Sequence, residues 1–288
     1  MATKLDVSAK GSPANALLLA EACSLAYLDE VAAAKGFRET LGLDARLIGA
    51  GNTQVYVAVG DDVVLVAFRG SECPTNLDGL KDWLLTNANN YLILPEGRIG
   101  TDFAAAGVGA RFHRGFMQAL DDIWTPLCEA VDATIQAVER PLWITGHSLG
   151  GALALLAAWR FQRNFINARE VVTFGAPMIG NDVAAKAFEK EFGDRVSRYV
   201  NLEDPVPLLP TVSLVANLYA HCPIEVALGA AEEAAIDAMK EQAGPAAAEG
   251  PLTGGLIDAV WGAVQGRIAA HFIARYLDGA RRRIEDRG

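Results

Sequence analysis

Gly146-His147-Ser148-Leu149-Gly150-Gly151 is the stretch of this 288-residue chain whose residue types point most directly to chemistry. A serine hydroxyl becomes a useful nucleophile only when a base serves it and the main chain holds it clear. A Gly-x-Ser-x-Gly run does the lifting by turning a strand sharply into a helix. Its glycines stand where a Cβ would collide with the neighbouring strand or helix. The flanks here fit that turn: Leu142–Thr145 is a short apolar run, and Ala152–Asn164 is strongly helical in pattern. Ser148 is therefore the expected nucleophile. Leu149 opens the helix and is expected to offer its N–H to developing negative charge. His147 is expected to pack or to support, because adjacent residues of such a turn point elsewhere.

A base and an acid must complete such a site. Only His221 and His271 follow Ser148, so a base placed after the nucleophile is one of these two. Three acids compete. Asp204 lies just beyond the strand-like run Val196–Val200, in a loop that Pro205 and Pro207 would stiffen. Asp182 follows Gly180-Asn181 and reads as the start of a helix. Asp194, after Gly193, reads as a turn. Asp204 ranks first on these grounds.

The elements that must position these groups alternate. A helix is predicted over 14–34, followed by two β-rich runs, Val55–Val59 and Val63–Phe68, on either side of the turn former Gly60-Asp61-Asp62. Residues 72–112 look irregular. Phe116–Val138 is helical in pattern, with a break or restart at Pro126. Strands are predicted at Leu142–Thr145, Val171–Phe174 and Val196–Val200, with helices at Ala152–Asn164 and Asp182–Phe192 between them. Strands alternating with helices imply an α/β domain whose central sheet is mainly parallel and covered on both faces. Residues 225–255 differ in texture, being rich in Ala, Gly and Glu, and Leu256–Arg283 returns to helical periodicity.

Composition narrows the function classes. Twenty-five Lys and Arg against 35 Asp and Glu leave a net charge of −10, which argues against general nucleic-acid binding. Apolar residues make up 51% of the chain, enough for a sizeable core, yet no window approaches the roughly 18 uncharged apolar residues of a membrane span. No secretory leader is visible, so a cytoplasmic location and secretion without a recognisable leader both stay open. Cys23, Cys73, Cys128 and Cys222 are far apart and lack metal-ligand spacing, so they are expected to be mostly free and buried.

Several motifs together resemble the class 3, or fungal-type, lipases. They are Val66-Ala67-Phe68-Arg69-Gly70-Ser71, His113-Arg114-Gly115-Phe116, Ile144–Ala152, Thr173-Phe174-Gly175-Ala176-Pro177 and Asn201-x-x-Asp204-Pro205-Val206-Pro207, in the order of that family. The likeness spans roughly 14–221 and resumes at His271. It implies a single α/β-hydrolase domain over 1–288 that hydrolyses carboxylic esters. Acylglycerols would be the first substrates to test. Phospholipase A1-like, feruloyl-esterase-like, thioesterase and acyltransferase chemistry are alternatives on the same residues. A non-enzymatic scaffold is disfavoured, because every role is filled.

The resemblance assigns Ser148 as nucleophile, Asp204 as acid and His271 as base. His221 resembles a histidine outside the triad. The oxyanion hole would be formed by Ser71 and Leu149, with no metal or organic cofactor needed. A lid-like segment at about 72–95, with Trp83, Leu84 and Leu85 as its apolar side, would cover the acyl pocket and swing aside at a lipid–water interface. A helical insert at about 225–265 departs from the family pattern.

Overall fold

The computed structural model describes residues 4–71, 92–209, 219–222, 224–228 and 266–286. Its main sheet is built from β1 (Asp44–Ala50), β2 (Thr53–Val59), β3 (Val64–Phe68), β6 (Leu142–His147), β7 (Ala168–Phe174), β9 (Val196–Asn201) and β11 (Glu225–Leu228), side by side in that order. The first three form an antiparallel meander, and β3, β6, β7, β9 and β11 run parallel. A small antiparallel sheet of two-residue strands lies apart from it: β4 (Leu92–Ile93), β5 (Phe112–His113), β8 (Gly180–Asn181) and β10 (Tyr219–Ala220).

Period-two alternation divides the central strands between two cores. Val64, Val66, Phe68, Ile144 and Val171 face one layer of helices: α3 (Gly97–Phe103), α4 (Arg114–Ala137), α5 (Leu149–Arg163) and α6 (Asp182–Phe192). Leu65, Ala67, Trp143, Val172 and Phe174 face the other: α1 (Pro13–Leu25), α2 (Glu30–Gly36) and α7 (Ile273–Glu285). Both layers are closed, so the carboxyl ends of the parallel strands are where a site can open. Those ends lead directly into Arg69-Gly70-Ser71, Ser148, Gly175 and the loop 202–204.

Four sequence expectations change. The helix predicted over 14–34 is two helices. Ser12 caps the first through Asn15 N–H, with Pro13 at its first position, and Asp29 caps the second through Ala32 N–H at 3.0 Å. The break between them carries Tyr27 into the interior. Pro126 does not interrupt α4, which runs unbroken from Arg114 to Ala137. Pro126 and Asp122 lie on the exposed face, where the carbonyl that proline leaves without a donor is open to solvent.

The stretch 72–112, predicted to be irregular, contains α3 and two short strands in its described part. The helical insert expected at about 225–265 begins as a strand instead. Glu225–Leu228 is too short for a helical period and pairs in parallel with β9. The remainder of that insert, 229–265, lies outside the described residues, as do Trp83, Leu84 and Leu85, the residues expected on the lid. The end of the lid-like segment is anchored, since Leu92 and Ile93 pair with His113 and Phe112. Among the described residues no helix is long and apolar enough to cross a membrane. Cys23 and Cys222 are free thiols, and both are buried.

Candidate active site

The turn after β6 is forced by backbone contact. A Cβ on Gly146 would lie 2.1 Å from the Gly150 carbonyl oxygen, and one on Gly150 would lie 2.4 Å from the Phe68 carbonyl oxygen. A Cβ on Gly151 would meet the Ala176 methyl at 2.8 Å. Three glycines therefore let the elbow fold on itself and sit flat against the end of β3. Ser148 takes the strain that remains, with φ 58° and ψ −131°. Such a conformation costs a non-glycine residue about 1–3 kcal/mol and persists only where its surroundings dictate it. Here Ser148 N–H donates to the Phe174 carbonyl at 2.9 Å, and the Ser148 carbonyl accepts from Gly151 N–H at 2.9 Å.

Leu149 is the first residue of α5, so its N–H has no carbonyl of that helix to bond. Gly150 packs on Phe68 and Arg69, which sets the Gly70-Ser71 turn beside the elbow. The Ser71 hydroxyl there is buried with no hydrogen-bond partner among the described residues. A buried hydroxyl without a partner costs roughly 1–3 kcal/mol, so it marks either strain or a place where something else binds.

Asp204 and His271, the expected acid and base, come together from distant parts of the chain. His271 Nδ1 bonds Asp204 Oδ2 at 2.7 Å, and both side chains are buried. The other ring nitrogen, Nε2, is buried and has no hydrogen-bond partner among the described residues. Asp204 is itself held fast. Its Oδ1 accepts the Val206 N–H at 2.8 Å, and its Oδ2 also accepts the Tyr276 hydroxyl at 2.5 Å. Tyr276 in turn accepts Asn201 N–H at 3.3 Å, and Asn201 Nδ2 donates to the Ala270 carbonyl at 2.9 Å. Burial, reinforced by the neighbouring carboxylate, pushes the Tyr276 phenol well above its ordinary range, so it stays a donor. Gly175, one residue beyond the carbonyl that holds Ser148, has φ 59°. A Cβ there would lie 3.0 Å from Asp204 Oδ2 and 3.1 Å from His271 Cε1.

The competing residues lie elsewhere. His221 Nε2 donates to the Pro207 carbonyl at 2.5 Å, and burial together with Arg198 pushes its pKa down to about 3. Asp182 is the first residue of α6 and pairs with Lys186 at 2.7 Å, while Asp194 is exposed and binds Lys10 at 2.6 Å. His113, from the His-x-Gly-Phe segment, caps α4 by accepting Phe116 N–H at 3.3 Å and stacks on the Phe116 ring. His147 bonds the His271 carbonyl and the Tyr27 hydroxyl. Neither the Tyr276 contact nor the Tyr27 contact is signalled by any spacing in the sequence. Both depend on helices that pack across the sheet from the strands they serve.

Two neutral histidines have a consequence for stability. Burial, and then the neighbouring His271, holds His147 well below its ordinary pKa, and His221 is depressed as well. The unfolded chain protonates both near pH 6.5 while the fold does not, so the unfolded state binds more protons as pH falls below 6.5. Stability should drop by up to about 1.4 kcal/mol per pH unit for each ring, for His221 down to about pH 3. His221→Gln is expected to flatten Tm against pH between 6.5 and 4. An unchanged slope would contradict the neutral state of His221.

The sequence pattern of the class 3 lipases matches residues 65–214. A secreted mono- and diacylglycerol lipase of Gibberella zeae is 32% identical over 152 residues, covering 51% of this chain and 45% of that protein. A chloroplastic phospholipase A(1) of Arabidopsis thaliana, DAD1, is 32% identical over 160 residues, covering 52% of this chain and 34% of that protein. The chain thus spans less than half the length of these two relatives. Among solved structures, the Lip2 lipase of Yarrowia lipolytica superposes with a TM-score of 0.61 at 20% identity, over 75% of this chain and 78% of that one. That likeness is one of fold, an α/β-hydrolase with a mainly parallel sheet and helices on both faces. The family match covers just over half of the residues, including the serine elbow and the acid loop, and on that ground the chain belongs to the class 3 lipase family.

Proposed function

We propose that this chain hydrolyses carboxylic esters of acylglycerols through an acyl-enzyme on Ser148. The observation that carries the reading is the state of His271. One ring nitrogen is anchored by a buried carboxylate, the other is buried without a partner among the described residues, and the ring lies 4.7 Å from that of His147, the neighbour of the strained Ser148. An imidazole whose Nδ1 donates to Asp204 presents a lone pair at Nε2, which is the tautomer a general base requires.

In this reading His271 Nε2 takes the Ser148 proton as Oγ attacks the ester carbonyl. The tetrahedral oxyanion is held by Leu149 N–H and by Ser71. The imidazolium then gives its proton to the departing alcohol oxygen, leaving Ser148 acylated. Water enters, loses a proton to His271 and attacks the acyl carbonyl, and Ser148 recovers its proton as the acid leaves. Asp204 stays ionised throughout and steadies the imidazolium. Loss of either oxyanion donor typically costs about a hundred- to a thousandfold in rate.

The relatives favour two substrates, a mono- or diacylglycerol and the acyl ester of a phospholipid. Both leave through an alcohol oxygen, and the triad does not choose between them. The test is a panel of diacylglycerol, phosphatidylcholine, p-nitrophenyl butyrate and an acyl thioester. Hydrolysis of an oxygen ester at least about tenfold faster than the thioester is expected, a margin of about 1.4 kcal/mol in barrier. Comparable rates on the thioester would contradict the ester assignment. Phosphatidylcholine cleaved faster than diacylglycerol would move the substrate to phospholipids.

A further inference from the structure

The residue before the nucleophile has both ring nitrogens committed. His147 Nε2 lies 2.7 Å from the main-chain carbonyl oxygen of His271, which can only accept, so Nε2 carries the hydrogen. Nδ1 therefore holds a lone pair, and the Tyr27 hydroxyl donates to it at 2.8 Å. The His147 ring lies against the reactive histidine, with centroids 4.7 Å apart, and its edge meets the Tyr276 ring at 5.5 Å. Tyr27 is partly exposed, but its hydroxyl end lies inside. A Cβ on Gly70 would stand 2.1 Å from that oxygen, so only glycine in the turn before Ser71 leaves room for it.

We infer that Tyr27 and His147 form a positioning pair for the base. Tyr27 fixes the tautomer of His147, and His147 then holds the main chain from which His271 reaches Ser148. The inference rests on the proposed role of His271. The logic parallels the Asp204–His271 contact one shell inward. A carboxylate sets which nitrogen of His271 carries hydrogen, and a phenol sets which nitrogen of His147 does. Without the Tyr27 hydroxyl, His147 Nδ1 is free to hold the hydrogen, and Nε2 then turns a lone pair on the carbonyl it should bind.

The pair also touches each part of the site at once. Its phenol abuts the oxyanion turn, its imidazole belongs to the elbow, and its acceptor is the base's own carbonyl. Among the described residues, the polar or titratable groups that face the His147 ring are Tyr27 just past the end of α1, His271 in the turn before α7, and Tyr276 on α7. None is an anion that would favour protonation. Burial keeps His147 neutral, so no fixed positive charge opposes the imidazolium that forms on His271.

The test compares His147→Leu, His147→Gln, Tyr27→Phe and the double variant Tyr27→Phe/His147→Leu, each well below its own Tm. His147→Leu, near in volume but without a donor, is expected to lower kcat by about thirty- to a hundredfold with KM within about twofold, the scale of a small misplacement of a reacting group. His147→Gln is expected to return to within about fivefold of wild type, because its amide nitrogen reaches the site of Nε2. Tyr27→Phe should cost about tenfold alone and less than about twofold once His147 is Leu, since the two act as one unit.

A wild-type kcat for His147→Leu would overturn the pair. So would a Gln variant as slow as the Leu variant, or fully multiplicative losses in the double variant. His271→Ala, run alongside, keeps the two readings apart. If it stays active, the base assignment falls. If it is inactive while His147→Leu turns over at the wild-type rate, only the positioning pair falls.

Discussion

Ser148→Ala is expected to lower kcat/KM on a soluble ester by at least about 10⁴-fold while leaving the fold intact. Removing a triad nucleophile typically leaves only the residual catalysis of the oxyanion donors and of binding, about 10³–10⁴ over water. Here those donors are untouched by the substitution, because Leu149 contributes main chain and Ser71 lies on another loop. Among the described residues the Ser148 hydroxyl makes no hydrogen bond whose loss would destabilise the elbow. Its main-chain bonds to Phe174 and Gly151 remain in the alanine variant, as does the strained φ of 58°. A folded, inactive protein is thus the expected result, checked by initial rates and by Tm together. An active Ser148→Ala variant would remove the nucleophile assignment.

Gly146→Ala is expected to damage the fold itself. The new methyl carbon would stand 2.1 Å from the Gly150 carbonyl oxygen, 2.3 Å from its carbon and 2.7 Å from the Gly151 nitrogen. All three are main-chain atoms of the elbow, so no side chain can rotate out of the way. Relief requires β6 and α5 to move apart, and both belong to the core. A loss of about 3 kcal/mol or more follows, at or beyond the upper end of ordinary overpacking. Activity should fall with it, since the same movement takes Leu149 N–H away from the Ser71 turn. Gly51 is the contrast, for a Cβ there meets nothing within 4 Å and only its φ of 55° resists substitution. Chemical denaturation of Gly146→Ala and Gly51→Ala side by side checks the claim. Equal losses would mean that the elbow can yield.

The two variants bear on what the chain announces before it folds. The elbow is legible because its chemistry and its sterics demand the same few residues in one short run. Asp182–Phe192 emerges as α6 with unchanged bounds, because Asn181 accepts Ala184 N–H at 3.1 Å and Gly193 ends the helix at φ 50°. Punctuation of that kind is local. The meander strand β1 is less visible, since as an edge strand it alternates exposed and half-buried residues and carries Asp44 and Arg46. Strand β11 is only four residues long and owes its conformation to β9, some 25 residues earlier.

The site divides in the same way. Ser148, Asp204 and His271 can be nominated because the chemistry needs one of each and few candidates stand in chain order. Tyr276 and Tyr27 could not be nominated. Tyr276 is an ordinary aromatic on the amphipathic α7 and Tyr27 one just past the end of the largely buried α1, and the importance of each comes from where its helix docks. The pair His147–Tyr27 spans 120 residues, and Tyr276–Asp204 spans 72. No local period encodes such a contact. His147 reads in the sequence as a packing or support residue, and nothing there points to its bonds with Tyr27 and the His271 carbonyl.

The most direct test of the central claim is covalent trapping. A p-nitrophenyl phosphonate ester that mimics the tetrahedral intermediate should modify the wild-type chain once, releasing one nitrophenolate, and peptide mass analysis should locate the adduct on Ser148. The same reaction should slow by at least about a hundredfold in His271→Ala, the loss expected when a general base is removed. An adduct on Ser71 or any other hydroxyl, or a His271→Ala variant that reacts at the wild-type rate, would contradict the assignment of Ser148 as a nucleophile activated by His271.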